Sequence, residues 1–450
     1  MNPELLRNLW LEATPFRLVQ IVGLLLVVFA VSSAAPRNLL TPEGAATVLY
    51  WFFVVLWGTR NAALSVVGEI RERTWDSQKL SAIGPASMMW GKLLGATSAN
   101  WFGGLLCLSV ILWAAWRDAG PVTAVSFGIV LVALGLFAQG ASLLSSLVLI
   151  RRNSGNWRLD TFLCQIAGIA AGFVYYSLWS SIDTFEATGM RTLVWWGHEF
   201  NLGAFHFVSL MIFLGWVLLG SWRAMRAELR FANGPFVWLA YLLYIAIYQA
   251  GFESVLANFG FLLLAPLGEI NLRLSLAGLA VLVSTYSMVF LEPKDPVRLR
   301  WLAEQVRERR YAKAFRALDA WMLSYAVTML LGVILAVLMT MDQSLFYDMR
   351  MTALSLPVVA MLGFVTRDVA IFVLMRAVAG TKGDFAALAL LAGLYLVLPA
   401  GLHRLGVELQ FLLLPTPGGA AILGALAAWA QAMVLVTLAA RSIQRRGAAV

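Results

Sequence analysis

Residues Gly68–Gly95 read GEIRERTWDSQKLSAIGPASMMWGKLLG, a charged stretch set between two long apolar runs. One run ends at Val66–Val67 and the next opens at Leu93. Glu69, Arg71, Glu72, Arg73 and Asp76 cluster at its start, Leu80, Ile83, Met88 and Met89 supply apolar contacts, and Gly84-Pro85 divides it. An apolar protein rarely spends so many charges on a tight turn. The pattern predicts a span leaving the membrane, a sharp turn, a short surface helix through about Ile83, a proline break and the next span. Along that helix Glu69–Arg73 is an attractive i,i+4 pair and Glu72–Asp76 a repulsive one. Carboxylates early in a helix suit its positive N-terminal end.

Apolar runs separated by charged breaks fill the rest of the chain. Of 450 residues, 61% are apolar and 13% charged, with a mean hydropathy of +0.80; soluble domains carry about 25% charged residues. Runs near the roughly 20 residues needed to cross a bilayer recur throughout. They are continuous rather than alternating, which excludes a transmembrane barrel. The expected fold is all-α: a polytopic integral membrane protein with about twelve spans, near 18–34, 44–66, 93–116, 122–150, 160–180, 203–221, 236–252, 272–291, 319–340, 352–366, 384–402 and 417–440. The segment Glu253–Asn271 has an apolar core, Leu256–Leu267, that contains Pro266 and is too short to cross. It reads as a re-entrant or interfacial element on the outer side.

Basic residues order these spans. With the N-terminus inside, most of the 33 lysines and arginines fall on inner segments, and the outer segments hold only Arg37, Arg117, Arg191, Arg273, Arg350 and Arg404. This bias predicts that both termini are cytoplasmic. The net charge of +9 has the same origin, so no nucleic-acid partner is expected. Asn2–Arg17 contains Glu4, Glu12 and Pro15 and precedes a long span, so that span reads as retained rather than cleaved. Cys107 and Cys164 lie inside apolar runs and read as small core residues, not as a metal or disulfide framework.

Two parts follow. Residues 1–232 hold six spans and end in the basic helix Ser221–Arg230, SWRAMRAELR. Residues 233–450 form a second six-span part whose largest polar insert is Glu292–Leu318. That insert reads as one or two amphipathic helices on the inner surface, with Trp301, Leu302 and Val306 toward lipid. Asn2-Pro3…Leu6-Arg7 before the first span echoes Asp295-Pro296…Leu299-Arg300 before the ninth. Gly363–Leu388 sits between two expected spans with a charged start, Arg367-Asp368, and a break at Gly380. Together these read as a degenerate partial repeat.

The opening segment resembles the loop between the second and third spans of type-2 ABC exporter permeases. The resemblance rests on Glu69, Glu72-Arg73-Thr74, Asp76, Leu80, Pro85-x-Ser87 and Gly91-Lys92-Leu93. Asn2–Arg17 looks like that family's elbow helix, and the likeness covers the first half of the chain; a typical member stops after six spans. The resemblance implies a coupling helix that docks into a groove on a separate ATPase subunit. It assigns ATPase coupling to Glu69, Arg71, Glu72, Arg73, Asp76, Leu80, Pro85 and Ser87. Arg367, Asp368 and Lys382 would form a second, degenerate contact. It implies ATP and Mg in the partner ATPase, two copies of that ATPase, a second permease chain, membrane lipids as surroundings, and a bacterial cytoplasmic (inner) membrane. The bland alternative is a solvated charged loop anchored at the interface.

Other chemistry is sparse. Gly84–Lys92, GPASMMWGK, has six residues between its glycines and Leu after the lysine, so it fails the phosphate-loop pattern. No cofactor is expected in this chain. His198, His206 and His403 are too scattered for a metal site, and no Ser/His/Asp order or paired outer carboxylates point to an enzyme. Arg60 lies within the second span and reads as snorkelling inward. Glu253 and Glu269 read as solvated loop ends, Arg367 and Asp368 as a local pair at the membrane surface. The tryptophans, Trp195-Trp196 among them, read as an interfacial belt. The rival functions are an ion-gradient-driven transporter, which would place acids deep within spans, and a scaffold subunit of a membrane complex.

Overall fold

In a computed structural model of the chain, residues 2–34, 36, 41–150, 157–180, 192–231, 233–252, 268–341, 355–404, 409–415 and 420–447 are described. The expected re-entrant core at Leu256–Leu267, with Glu253, lies outside them, as do Arg151 and Arg152. Ten of the described helices are long and apolar enough to cross a membrane. Contacts divide the chain into two units, Met1–Leu193 with Phe200–Asn233, and Val194–Glu199 with Gly234–Val450.

The first unit opens on α1, Pro3–Glu12. The Asn2 side chain caps it by accepting from the Glu4 and Leu5 amides, and proline at the first helical position has no amide to leave unsatisfied. α2, Pro15–Ala34, follows. The next run is not a single α-helix. α3, Pro42–Tyr50, widens into a π-turn at Trp51–Trp57 and continues as α4, Gly58–Arg71. Such a widening disturbs the backbone ladder, and lipid offers no replacement partners. Neighbouring side chains supply them: the Gln139 amide donates to the Val54 carbonyl at 2.9 Å, Gln165 to Leu56 at 3.0 Å and the Thr59 hydroxyl to Val55 at 2.6 Å.

Two short helices, α5 (Trp75–Lys79) and α6 (Pro85–Trp90), lead through a second π-turn, Gly91–Gly95, to α7, Ser98–Ala119. α8 (Pro121–Ile150), α9 (Trp157–Ser180) and α10 (Leu202–Glu228) complete the unit. Its core joins Tyr50, Phe53 and Val54 to Cys107, Leu108 and Leu131. Small residues let these helices approach, as packing between apolar spans requires. A Cβ on Gly168 would meet the Ala138 carbonyl at 2.6 Å.

Between α9 and α10 lies a local hairpin of β1, Thr192–Trp195, and β2, His198–Asn201. Trp196 and Gly197 take φ of 52° and 73° at its turn, the doubly left-handed geometry that matches strand twist. The Trp195 and Trp196 indoles donate to the Tyr248 and Ile247 carbonyls at 3.0 and 3.2 Å. They close the C-terminal end of α11, Phe236–Ala250, an apolar helix of 15 residues. The pair thus has a capping role that an interfacial belt alone does not describe.

The second unit continues with α12 (Glu269–Leu291), α13 (Pro296–Arg307) and α14 (Tyr311–Arg316). It then runs through α15 (Ala320–Met341), α16 (Ser355–Ala379) and α17 (Gly383–Ala392), a π-turn at Gly393–Val397 and α18 (Leu398–Arg404). α19, Ala421–Gly447, is the last helix. Two expectations need correction. Leu302 is buried under α13 rather than turned to lipid, while Val306 stays 50% exposed. The span placed at 352–366 is in fact α16, which runs on to Ala379 through Arg367 and Asp368. The charges there are satisfied inside the bundle, so the helix has no reason to end.

Candidate functional site

The surface segment is shorter in helix than its sequence promised. α4 stops at Arg71, and Arg73 takes φ 59°, in the left-handed region. The Thr74 amide closes the reversal on the Glu69 carbonyl at 2.9 Å. α5 ends at Lys79, not near Ile83, and Gly84, directly before Pro85, takes extended backbone, ψ 155°. The reversal also undoes both expected i,i+4 pairs. Glu69 turns away from Arg73, and Asp76 pairs with Lys79 at 2.6 Å. The Lys79 hydrogen bond and charge hold the Asp76 carboxyl below the usual carboxylate range.

A five-residue helix has no stability of its own. α5 is held by its inner face, where Trp75 and Gln78 are buried. Asp76 on its other face, Glu72 and Arg73 in the reversal before it and Leu80 at its end are all exposed, with Leu80 88% exposed. Arg71 leaves this patch and stacks on the Trp157 ring of α9, 4.3 Å from its centroid. Pro85 and Ser87 sit apart, lining a shallow groove with Trp222, Arg226 and Phe231. Of the eight residues expected to act together, four share one exposed patch. Arg60 is exposed on α4.

Behind the patch lies a buried ion centre that the sequence did not single out. Lys92 is fully buried at the start of the π-turn before α7. Its ammonium pairs with Glu69 and, at 3.3 Å, with Glu4. It also donates to Gln78 Oε1 at 3.1 Å and to the Ser65 carbonyl at 3.0 Å, and it lies 5.1 Å from the Trp75 ring centroid. Burial draws Lys92 below the usual lysine range, opposed by the charges of Glu69 and Glu4. Arg7 completes the centre by bonding Glu4 at 2.9 Å and Glu69 at 2.5 Å.

This centre joins four elements: α1 through Glu4 and Arg7, α4 through Glu69 and Ser65, α5 through Gln78 and Trp75, and the lead into α7 through Lys92. Two glycines let α1 come close enough. A Cβ on Gly91 would meet Glu4 Cγ at 2.5 Å and the Leu5 amide at 2.8 Å, and one on Gly95 would meet Asn8 Cβ at 2.6 Å. Asn2 and Asn8 then bond the Ser87 and Gly91 carbonyls at 2.6 and 3.2 Å. The available sequence signal was a lysine directly after the first of two glycines four residues apart, facing two acids on separate amphipathic stretches.

The expected second contact divides differently. Lys382 is exposed in the 3-10 turn Gly380–Lys382. Arg367 and Asp368 are 1% and 0% exposed at the middle of α16, so their placement at the membrane surface is overturned. Asp368 Oδ1 accepts from Arg367 Nε at 2.9 Å, and Oδ2 accepts from the Tyr286 and Tyr395 hydroxyls at 2.7 and 2.6 Å. Arg367 Nη1 donates to Gln431 Oε1 at 3.0 Å. Close to Lys382, Lys294 and Asp384 form another buried pair at 3.0 Å, with Arg376 3.6 Å from Asp384.

The fold defines a polytopic α-helical membrane protein. Comparison with known protein families, curated proteins and solved structures returned no match.

Proposed function

We propose that the chain is the transmembrane permease subunit of an ATP-driven ABC exporter in a bacterial cytoplasmic membrane, with both termini cytoplasmic. A separate ATPase subunit, in two copies, binds ATP and Mg. A second permease chain completes the assembly, which moves an amphiphilic or polymeric substrate across or out of the membrane. One observation carries this reading: the patch of Glu72, Arg73, Asp76 and Leu80 is exposed while its reverse side is fastened by Lys92 to α1, α4 and α7. A push on a loose charged loop is absorbed locally. A push on this segment is delivered to three helices at once. The charges give a docking partner register, and Leu80 gives it an apolar anchor.

Co-purification with a Walker-containing ATPase, sought among the neighbouring reading frames, tests the reading. Glu72→Lys reverses a charge on the patch without touching the ion centre, and it is expected to weaken the complex and lower ATP turnover. An unchanged complex with unchanged turnover removes the coupling role from this patch. Asp368, buried at the middle of a span, favours a second reading, an ion-gradient-driven transporter. Transport by protein reconstituted without any ATPase, driven by an imposed gradient, separates the two.

A further inference from the structure

Within the second unit, polar side chains gather at the centre of an otherwise apolar helix. Residues 366–368 of α16 meet Tyr286 from α12, Tyr325 from α15, Tyr395 from the π-turn and Gln431 from α19. Tyr325 bonds the Thr366 hydroxyl at 2.9 Å, and Thr285 meets Thr328 at 2.8 Å nearby. Isolated apolar packing requires none of these groups, and ionisable residues at membrane depth are costly. Tyr395 is delivered by a π-turn, a distortion frequent at functional sites. Arg367 Nη2 is buried without a hydrogen-bond partner.

We propose that Asp368 is a proton-binding site inside the second unit, and that proton uptake there switches the packing around the Gly393–Val397 turn. The geometry selects the ligand. A metal cation needs several oxygen donors, but both Asp368 oxygens are already capped by donors and a guanidinium lies beside them. A proton needs only one carboxylate lone pair. It comes from the aqueous phase, forms one O–H bond and returns to that phase on release.

The switch follows from hydrogen-bond counting. As a carboxylate, Asp368 accepts from Arg367, Tyr286 and Tyr395 together. Once protonated it loses the charge that strengthens those three bonds and gains an O–H donor that needs an acceptor, which the Tyr286 or Tyr395 hydroxyl supplies by reversing its own hydrogen bond. Arg367 also loses its counter-ion: its Nε then joins Nη2 as a donor in need of an acceptor, and Gln431 Oε1, which already accepts from Nη1, is the one at hand. The groups facing Asp368 are Tyr286, Tyr395 and Arg367. Gln431 and Tyr325 touch Arg367 and Thr366 next to it.

The proposal goes beyond the ATPase-coupling reading and is tested without it. The purified full chain in lipid nanodiscs is titrated while infrared difference spectra follow the carbonyl stretch of a protonated carboxyl. A band is expected that disappears in Asp368→Asn, persists in Glu269→Gln, and changes its pH midpoint in Tyr395→Phe. Absence of the band over the whole pH range in which the protein stays folded overturns the proposal, as does its survival in Asp368→Asn. If Asp368→Asn does not fold, the charge-balanced pair Arg367→Gln with Asp368→Asn replaces it, with the same two outcomes. Failure here leaves the ATPase reading untouched, because no partner protein is present.

Discussion

Replacing Lys92 by methionine tests the ion centre directly. The substitution keeps length and apolar volume and removes one charge. Glu4 would keep Arg7 at 2.9 Å and Asn8 at 3.2 Å, and Glu69 would keep Arg7 and Gln78, each at 2.5 Å. Two carboxylates, 3% and 14% exposed, would then share a single guanidinium that is itself 40% exposed. Removing one partner of a buried pair costs about 3–5 kcal/mol. Because Arg7 remains, the low end applies, about 3 kcal/mol. That loss falls on the attachment of α1 and α5, not on the apolar core. Amide exchange in Pro3–Glu12 and Trp75–Trp90 should therefore accelerate by about a hundredfold through local opening, with α8 and α9 unaffected. Adding Glu69→Gln to Lys92→Met removes an orphaned charge and should restore part of the protection. Unaltered exchange in α1, or no relief from the second substitution, refutes the reasoning.

Three other outcomes are expected. Gly363→Val places side-chain atoms where even a Cβ would lie 2.9 Å from Ala428 Cβ, so α16 and α19 must separate; thermal unfolding should show a loss of about 1–3 kcal/mol. Leu80→Asp alters a residue 88% exposed and should leave stability within about 0.5 kcal/mol while lowering capture of the ATPase, so an unfolded variant counts against the placement of Leu80. Asp76 has a depressed folded-state pKa, so its contribution to α5 is present above the usual carboxylate range and is lost as pH falls through the depressed value. Amide exchange in α5 should show this acid-side change in wild type and not in Asp76→Asn.

Hydropathy made the helical membrane class legible because a span needs little beyond length and apolar character. It gave the surface segment too, since charges between two spans have few places to go. It did not give the partners of Glu69. The i,i+4 rule assumes that the helix continues, and Arg73 in left-handed backbone ends that assumption. Arg367-Asp368 misled for a related reason. Two adjacent charges resemble the end of a span when sequence is read alone. Their solvation inside the bundle comes from Tyr286, Tyr395 and Gln431, which lie far away in sequence. The π-turns carry no pattern of their own, and the glutamines that satisfy the first one look like incidental polar residues in apolar runs.

The buried ion centres bear on the partial repeat more than the exposed charges do. In the first unit Lys92 follows the close-approach Gly91 and pairs with Glu69, one helical turn before the left-handed Arg73. In the second, Asp384 follows Gly383, where a Cβ would meet Arg376 Cα at 2.6 Å, and faces Arg376, one turn before the left-handed Gly380. The third partner is Glu4 in α1 in one case and Lys294, just ahead of α13, in the other. Both of those helices begin with proline behind an Asn2 or Asp295 cap. The three core partners, Lys92, Glu69 and Glu4 in one unit and Asp384, Arg376 and Lys294 in the other, carry opposite charges. Charge inversion preserves attraction while erasing residue identity, so the correspondence hides from a sequence read for motifs. What the second unit lacks is the stretch between reversal and span: only Gly380–Lys382 stands where the first unit carries α5 and α6. Lys382 is the exposed charge beside the second centre, and with no counterpart of α5 and α6 there the docking role proposed above rests on the first unit.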